Sequence, residues 1–135
     1  MNTKYHIVSK RKTTISRIYM RKKKNNNNYL LINKINFKKY FKNNIYILYK
    51  INIFFKNIKY NKKNKYIFIV NIKGGGYNSQ IESIIYGIAK ILYLFNRKKY
   101  KILKNNFLLR QDCRKVERKK YGKKKARKSY QFSKR

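Results

Sequence analysis

Acidic residues are nearly absent. Glu82, Asp112 and Glu117 stand against 39 Lys and Arg, leaving a formal net charge of +36 over 135 residues. General acid–base catalysis needs His or carboxylate groups within hydrogen-bond reach of a substrate and of each other. With three acids and one histidine, His6, the chain offers almost nothing to build such a site, and no enzyme is expected. The lone cysteine, Cys113, excludes an intrachain disulfide. Together Cys113 and His6 fall short of the roughly four ligands of a structural zinc site, so neither metal nor cofactor is expected. Proline and tryptophan are missing, and alanine occurs only at positions 89 and 126. No apolar run reaches the roughly 20 residues of a membrane span, and no basic amphipathic helix shows a wide apolar side. No signal-peptide pattern opens the chain, and the basic start lacks the Arg- and Ser-rich character of a transit peptide.

What is abundant is positive charge. A free domain with this balance repels itself, so its compact state calls for a polyanion. Nucleic acid meets that need, because cationic side chains displace the counterions condensed on phosphates. Hydrophobic residues make up 42% of the chain, too many for a wholly disordered basic tail. The length suits one domain and no homo-oligomer is expected. Lys, Asn, Ile and Tyr supply 81 of the 135 residues. That skew points to a very AT-rich coding genome, either that of an organelle (plastid or mitochondrion) or that of a reduced-genome bacterium.

Period-2 alternation predicts a strand over 14–20. The run Asn25-Asn26-Asn27-Asn28 reads as a hairpin loop, with residues 29–33 as the returning strand. Residues 43–58 fit strand composition and helical spacing about equally. Helix is favoured, with 45, 48, 49, 51 and 55 as its apolar positions. Residues 66–73 form the clearest strand, apolar on both sides and therefore central. Gly74-Gly75-Gly76 follows it, and Ser79 to Glu82 has the form of a capping box. The next helix carries Ile81, Ile84, Ile85, Ile88, Leu92 and Phe95 as its apolar stripe. Gly87 lies mid-helix, where close approach to a sheet or to RNA would justify it. A second short helix is expected over 97–106, with Tyr100 and Leu103 facing inward.

Gly74-Gly75-Gly76 is neither a P-loop nor a dinucleotide fingerprint. It reads either as a flexible turn or as a contact for an RNA backbone at a helix N-terminus. Residues 114–135 carry twelve Lys and Arg and one acid. Tyr121, Tyr130 and Phe132 are interleaved with these cations, as stacking on bases requires. Five of the nine arginines fall at 110, 114, 118, 127 and 135, in a chain otherwise dominated by lysine. A planar guanidinium forks onto phosphate or a base edge where an ammonium cannot. Asp112 and Glu117 read as partners of these arginines, and Glu82 as a capping residue. A free chaperone-like RNA-binding protein would be expected to show a base-reading module, and no such signature is present. A membrane-active or secreted peptide would need a signal or an apolar helix.

Several segments resemble one family. Lys73-Gly74-Gly75-Gly76, then Gln80, then Gly87-Ile88-Ala89-Lys90 is similar to the KGGGxxGQ…GIAR segment of the ninth protein of the small ribosomal subunit. Asp112 to Gly122, Lys124 to Arg127 and the closing Gln131-Phe132-Ser133-Lys134-Arg135 resemble that family's ERKKYG…KAR…QFSKR ending. Arg11-Lys12-Thr13 and Arg17 resemble its RRKTAxAR opening. Three places depart from the pattern. Ser79 replaces a glycine, Ile85-Tyr86 an Arg–His pair, and Arg110-Gln111-Asp112 a Thr-Arg-Asp.

The resemblance implies an α+β fold of the ribosomal-protein S-five domain-two type, with a four-stranded sheet and two helices on one face. It implies a globular body, residues 1–112, and an extended basic tail, residues 113–135. It also implies a structural place in the head of the small subunit, on ribosomal RNA and beside neighbouring head proteins. The expected RNA contacts are Arg11, Lys12, Arg17, Lys73, Gly74, Gly75, Gly76, Gln80, Arg110, Arg114, Arg118, Lys119, Lys120, Tyr121, Lys124, Arg127 and Lys128. Ser133, Lys134 and Arg135 are expected to reach peptidyl-site tRNA.

Overall fold

The computed structural model describes residues 3–22, 30–58, 66–97 and 100–134. Strands β1 (Thr3–Arg11) and β2 (Thr14–Lys22) form an antiparallel hairpin, with Arg11 opposite Thr14 and Lys12-Thr13 as its two-residue turn. Lys12 takes a positive φ of 51° there, as primed hairpin turns require. β3 (Leu30–Ile32) and β4 (Ile35–Asn36) follow, then α1 (Phe37–Tyr40) and α2 (Ile45–Asn57). β5 (Tyr66–Lys73), α3 (Tyr77–Phe95) and α4 (Tyr100–Asn105) complete the body.

The sheet has five strands in the order β1-β2-β5-β3-β4. Among the described residues both the expected strand number and the expected helix number therefore change, to five strands and four helices. β5 is central, as its apolar composition predicts. Residues 30–32 do form a strand, but not a hairpin partner of β2. β5 lies between them, antiparallel to β2 and parallel to β3. A parallel partner needs a long crossover connection, and the segment holding α1 and α2 supplies it. The Asn25–Asn28 loop lies outside the described residues.

One face of the sheet is buried. Ile18 pairs with Val70 and Met20 with Phe68; Leu30 and Ile32 extend the same rows from β3. All six are essentially inaccessible. Each such side chain contributes roughly 1.5–3 kcal/mol relative to exposure. α3 lies over β1 and β2, α1 against β3 and β4, and α2 beside α3. α4 meets α3 with Leu103 buried; the side chain of Tyr100 is not among those described. The α3 stripe holds at Ile81, Ile84, Ile85, Ile88 and Leu92. Phe95 is more exposed and packs edge-on against Tyr5 and Tyr66.

α2 confirms the helical alternative for 43–58, with the Asn44 side chain accepting from the Ile47 amide. Its buried face is Ile47, Ile51, Phe54 and Phe55. Of the expected stripe, Ile45 and Tyr49 instead point to solvent.

Gly87 is settled as a helix–sheet contact. A Cβ there would collide with Ile18 Cδ1 and come within 3.1 Å of Ser9 Cβ. Buried Ser9, Ser16 and Ser83 share the seam, so small residues let α3 settle close onto the hairpin.

Candidate RNA interface

The glycine turn is built rather than loose. Gly74 and Gly75 have φ of 73° and 70°, the left-handed region that glycine enters without strain. A Cβ on Gly75 would strike Thr14 Oγ1, and one on Gly74 would sit 2.9 Å from the Thr13 carbonyl oxygen. Gln80 Nε2 donates to the carbonyls of Gly74 (3.2 Å) and Gly75 (3.4 Å), while its Oε1 accepts from the Tyr40 hydroxyl. The flexible-turn reading therefore fails. Gln80, expected at RNA, is buried and holds the turn from inside.

The expected capping box is also absent. α3 begins at Tyr77, two residues before Ser79, with Gly76 as its N-cap. The Ser79 hydroxyl instead donates back to the Gly76 carbonyl at 2.9 Å. Beside this helix start opens a cleft of about 660 Å³ lined by Lys12, Thr13, Asn44, Gly76, Tyr77 and neighbours. The N-termini of α2 and α3 both border it. The partial positive charge of the two helix starts, with Lys12, suits a phosphate.

Glu82 is held by cations rather than by its own helix. Arg11 Nε donates to Glu82 Oε2 at 2.8 Å, and Lys50 Nζ to Oε1 at 3.1 Å. Partial burial raises the Glu82 carboxyl, but these two hydrogen bonds outweigh it and leave the group below the usual carboxylate range. The other end of the Arg11 guanidinium lies 3.3 Å from Asp112 Oδ2 and donates to the Arg114 carbonyl. Arg114 forks onto Asp112 and donates its backbone amide to it, holding that carboxyl far below its ordinary value. Arg11, expected at RNA, is thus largely enclosed and braces β1, α3 and the root of the tail.

From Gln111 to Lys134 the chain forms no helix or strand, and its side chains are mostly exposed. It is not featureless. Arg127 forks onto Glu117 with contacts of 3.0 and 2.7 Å, closing a ring across a separation of ten positions. Gly122, with φ of 67°, turns within it. Tyr121 and Phe132 are fully exposed, and Lys124 Nζ sits 5.4 Å from the Tyr130 ring centroid. Arg110, Arg118, Lys119, Lys120 and Lys128 are exposed along the same segment, as are Ser133 and Lys134. Arg135 lies outside the described residues.

Apart from Arg11, Gly74, Gly75 and Gln80, the expected contacts fall into three places. Lys12 and Gly76 border the cleft at α3, and the later cations follow the tail. Arg17 and Lys73 lie on the exposed face of the sheet, where they line a second cleft with Lys34. Sequence reasoning missed Lys34, whose signal was local: Asn33-Lys34 joins β3 to β4 with two positive φ values. Among the described residues no group of His, Cys, Asp and Glu is disposed to hold a metal ion, and no helix is long and apolar enough to cross a membrane.

A family model for ribosomal protein S9/S16 matches residues 9–135. Small ribosomal subunit protein uS9 of Cytophaga hutchinsonii is 39% identical over 131 residues, 95% of each chain. The uS9 protein of Chlorobium luteolum is 38% identical over 128 residues, again 95% of each chain. That of Borrelia turicatae reaches 52% over 75 residues, covering 56% of this chain and 55% of its own. With the family model spanning nearly all of the sequence and relatives similar end to end, the chain belongs to the ribosomal protein S9/S16 family.

Proposed function

We propose that this protein is a structural constituent of the small ribosomal subunit that binds ribosomal RNA in the head beside other head proteins. In this reading it divides into a globular body, residues 1–112, and a basic tail, residues 113–135, that reaches the peptidyl-site tRNA through Ser133, Lys134 and Arg135. The observation that carries the reading is the tail. Twelve cations occupy residues 114–135, exposed and without regular structure in the described part. That is a form suited to threading along phosphates, with ordering deferred until RNA is present. The body contributes the cleft bordered by Lys12 and Gly76. Arg11, Gln80, Gly74 and Gly75 support that contact from behind. No enzymatic role enters, as befits relatives that are ribosomal proteins. The AT-rich composition supports an organelle or a reduced-genome bacterium as the source, although the relatives named are bacterial.

The test is sedimentation of the tagged protein through a sucrose gradient, followed by tRNA release from subunits lacking Lys134 and Arg135. Co-migration with small subunits, with unchanged subunit yield and faster peptidyl-site tRNA dissociation in the deletion, is the expected result. Migration only in the free fractions overturns the ribosomal assignment. Unchanged tRNA release overturns the tail's contact alone.

A further inference from the structure

The sheet has a second face. Positions that alternate with the buried rows of β1, β2 and β5 point away from the helices. Val8 and Ile15 are 43% and 42% exposed there, and Arg17, Asn71 and Lys73 are exposed beside them. The pairing register sets these side chains in rows: Val8 with Arg17 and Asn71, and Ile15 with Lys73. In the adjoining row His6 stacks on Tyr19, with ring centroids 4.8 Å apart and planes inclined by 25°. Two positions along β2, roughly 7 Å away, Arg17 shares a cleft of about 480 Å³ with Lys34 and Lys73. Lys34 is held in place by its turn. The Asn33 side chain accepts from the Ile72 amide at 2.8 Å and donates to the Ile72 carbonyl at 3.3 Å.

We propose that this open sheet face is an RNA-contact surface separate from the tail, one that takes an unpaired nucleotide. Its base stacks on the His6–Tyr19 pair, and its flanking phosphates meet Arg17, Lys34 and Lys73. The inference rests on the RNA-binding reading above and names the form of RNA that one surface prefers.

Charge complementarity selects the occupant. Glu82, Asp112 and Glu117 all lie elsewhere, in α3, at the root of the tail and within it, so no acid weakens the attraction of this face for phosphate. The stacked rings select among nucleic acids. A paired duplex hides its base faces, whereas an unpaired base offers a π-surface to an aromatic ring. His6 is exposed and Tyr19 half-buried, so the stacked pair presents aromatic surface on this face. Exposed Val8 and Ile15 add apolar area of the kind a splayed nucleotide covers.

The experiment compares two synthetic RNAs of equal length and charge, a hairpin with unpaired adenines in its loop and a fully paired duplex, each titrated with the full-length protein. His6→Ala and Tyr19→Leu are expected to weaken hairpin binding about fivefold or more, the lower end for loss of one base–aromatic stack. Duplex binding and the salt slope should stay as in the parent, which also reports that the variants are folded. Arg17→Gln is expected to weaken both RNAs and to flatten the salt slope by roughly 0.7 to 0.9. If the parent binds neither RNA, the RNA-binding reading itself falls. If the parent binds both and the ring variants lose nothing on the hairpin, the stacking surface falls while that reading stands. Unchanged hairpin binding with poor incorporation into subunits would assign the face to a neighbouring protein and overturn the proposal equally.

Discussion

Arg11 Nε and Glu82 Oε2 meet at 2.8 Å across 71 residues of sequence, joining the end of β1 to the first turns of α3. Their side chains keep 15% and 29% of their exposure, so water screens the pair only in part. The same arginine reaches Asp112, where the tail leaves the body. One guanidinium therefore ties hairpin, helix and tail root together. Arg11→Ala is expected to lower stability by roughly 1–3 kcal/mol, because it leaves Glu82 partly buried with Lys50 as its remaining partner. A double-mutant cycle with Glu82→Gln should show coupling of at least about 0.5 kcal/mol. Additive effects in chemical denaturation would mean that the pair is incidental.

Acid should undo the same brace. Glu82, Asp112 and Glu117 all have folded-state pKa values below their ordinary ones of 4.5, 3.8 and 4.5. A depressed carboxyl stabilises the fold above its unfolded pKa, and that contribution is lost as pH falls through the folded value. The thermal midpoint should thus be flat from about pH 5 to 8 and decline below about pH 4.5. Glu82→Gln should shrink the decline. A midpoint that rises on acidification would contradict the sign of all three shifts.

Gly87 and Gly76 make a matched pair of opposite expectation. Alanine at 87 gains about 1 kcal/mol of helix propensity but drives a methyl into Ile18 and Ser9. Overpacking of this kind costs about 1–3 kcal/mol, so Gly87→Ala should lower the melting midpoint. A Cβ at Gly76 meets nothing within 4 Å, so Gly76→Ala adds no clash and should cost only the modest preference of a helix N-cap for glycine over alanine. Equal midpoints for both variants would remove the close helix–hairpin approach as the reason for Gly87.

The strand–glycine–helix unit from Tyr66 to Phe95 was readable because its signals are local. Period-2 alternation gives way to three glycines and then to apolar residues every three or four positions. Other features depend on partners distant in sequence. Ser79 and Glu82 have the spacing of a capping box, yet Arg11 and Lys50 capture the carboxylate from 71 and 32 residues away. The asparagine run suggested that β2 and β3 are neighbours, but insertion of β5 between them is decided by a crossover no short window reveals. β1 was overlooked although Tyr5, Ile7 and Ser9 alternate with His6, Val8 and Lys10, because dense positive charge reads as solvated tail. Arg11 was expected at RNA from the Arg11-Lys12-Thr13 resemblance, and its ties to Glu82 and Asp112 again depend on partners distant in sequence.

Removing residues 114–135 should separate the tail's electrostatics from the body's. Each phosphate neutralised contributes a slope of roughly −0.7 to −0.9 in log K against log salt. Loss of twelve cations should flatten the slope by several units, with the thermal transition of the body retained. If the truncated protein keeps the parent slope, the body's clefts and open sheet face carry the phosphate contacts.

The ring closed by Glu117 and Arg127 makes a sharper test of how the tail works. Both side chains are well exposed, at 49% and 84%, and exposed pairs contribute little even when geometry is good. The ring therefore holds the loop only weakly before RNA arrives. Glu117 nevertheless masks one of the tail's three described arginines beyond residue 113 from a second fork, because a guanidinium bound to a carboxylate has fewer donors left for phosphate. Two effects compete in Glu117→Gln: the loop becomes less ordered, and Arg127 is released while net charge rises by one. With an exposed pair the second effect should win. The variant is expected to bind RNA more tightly at low salt, with a slope steeper by roughly 0.7 to 0.9, and to lose the advantage as salt is raised and the added attraction is screened. Glu117→Asp, which keeps the charge on a shorter arm, should remain close to the parent. Weaker binding at every salt concentration with an unchanged slope would reverse the assignment, making the Glu117–Arg127 ring an element that pre-orders the loop for RNA.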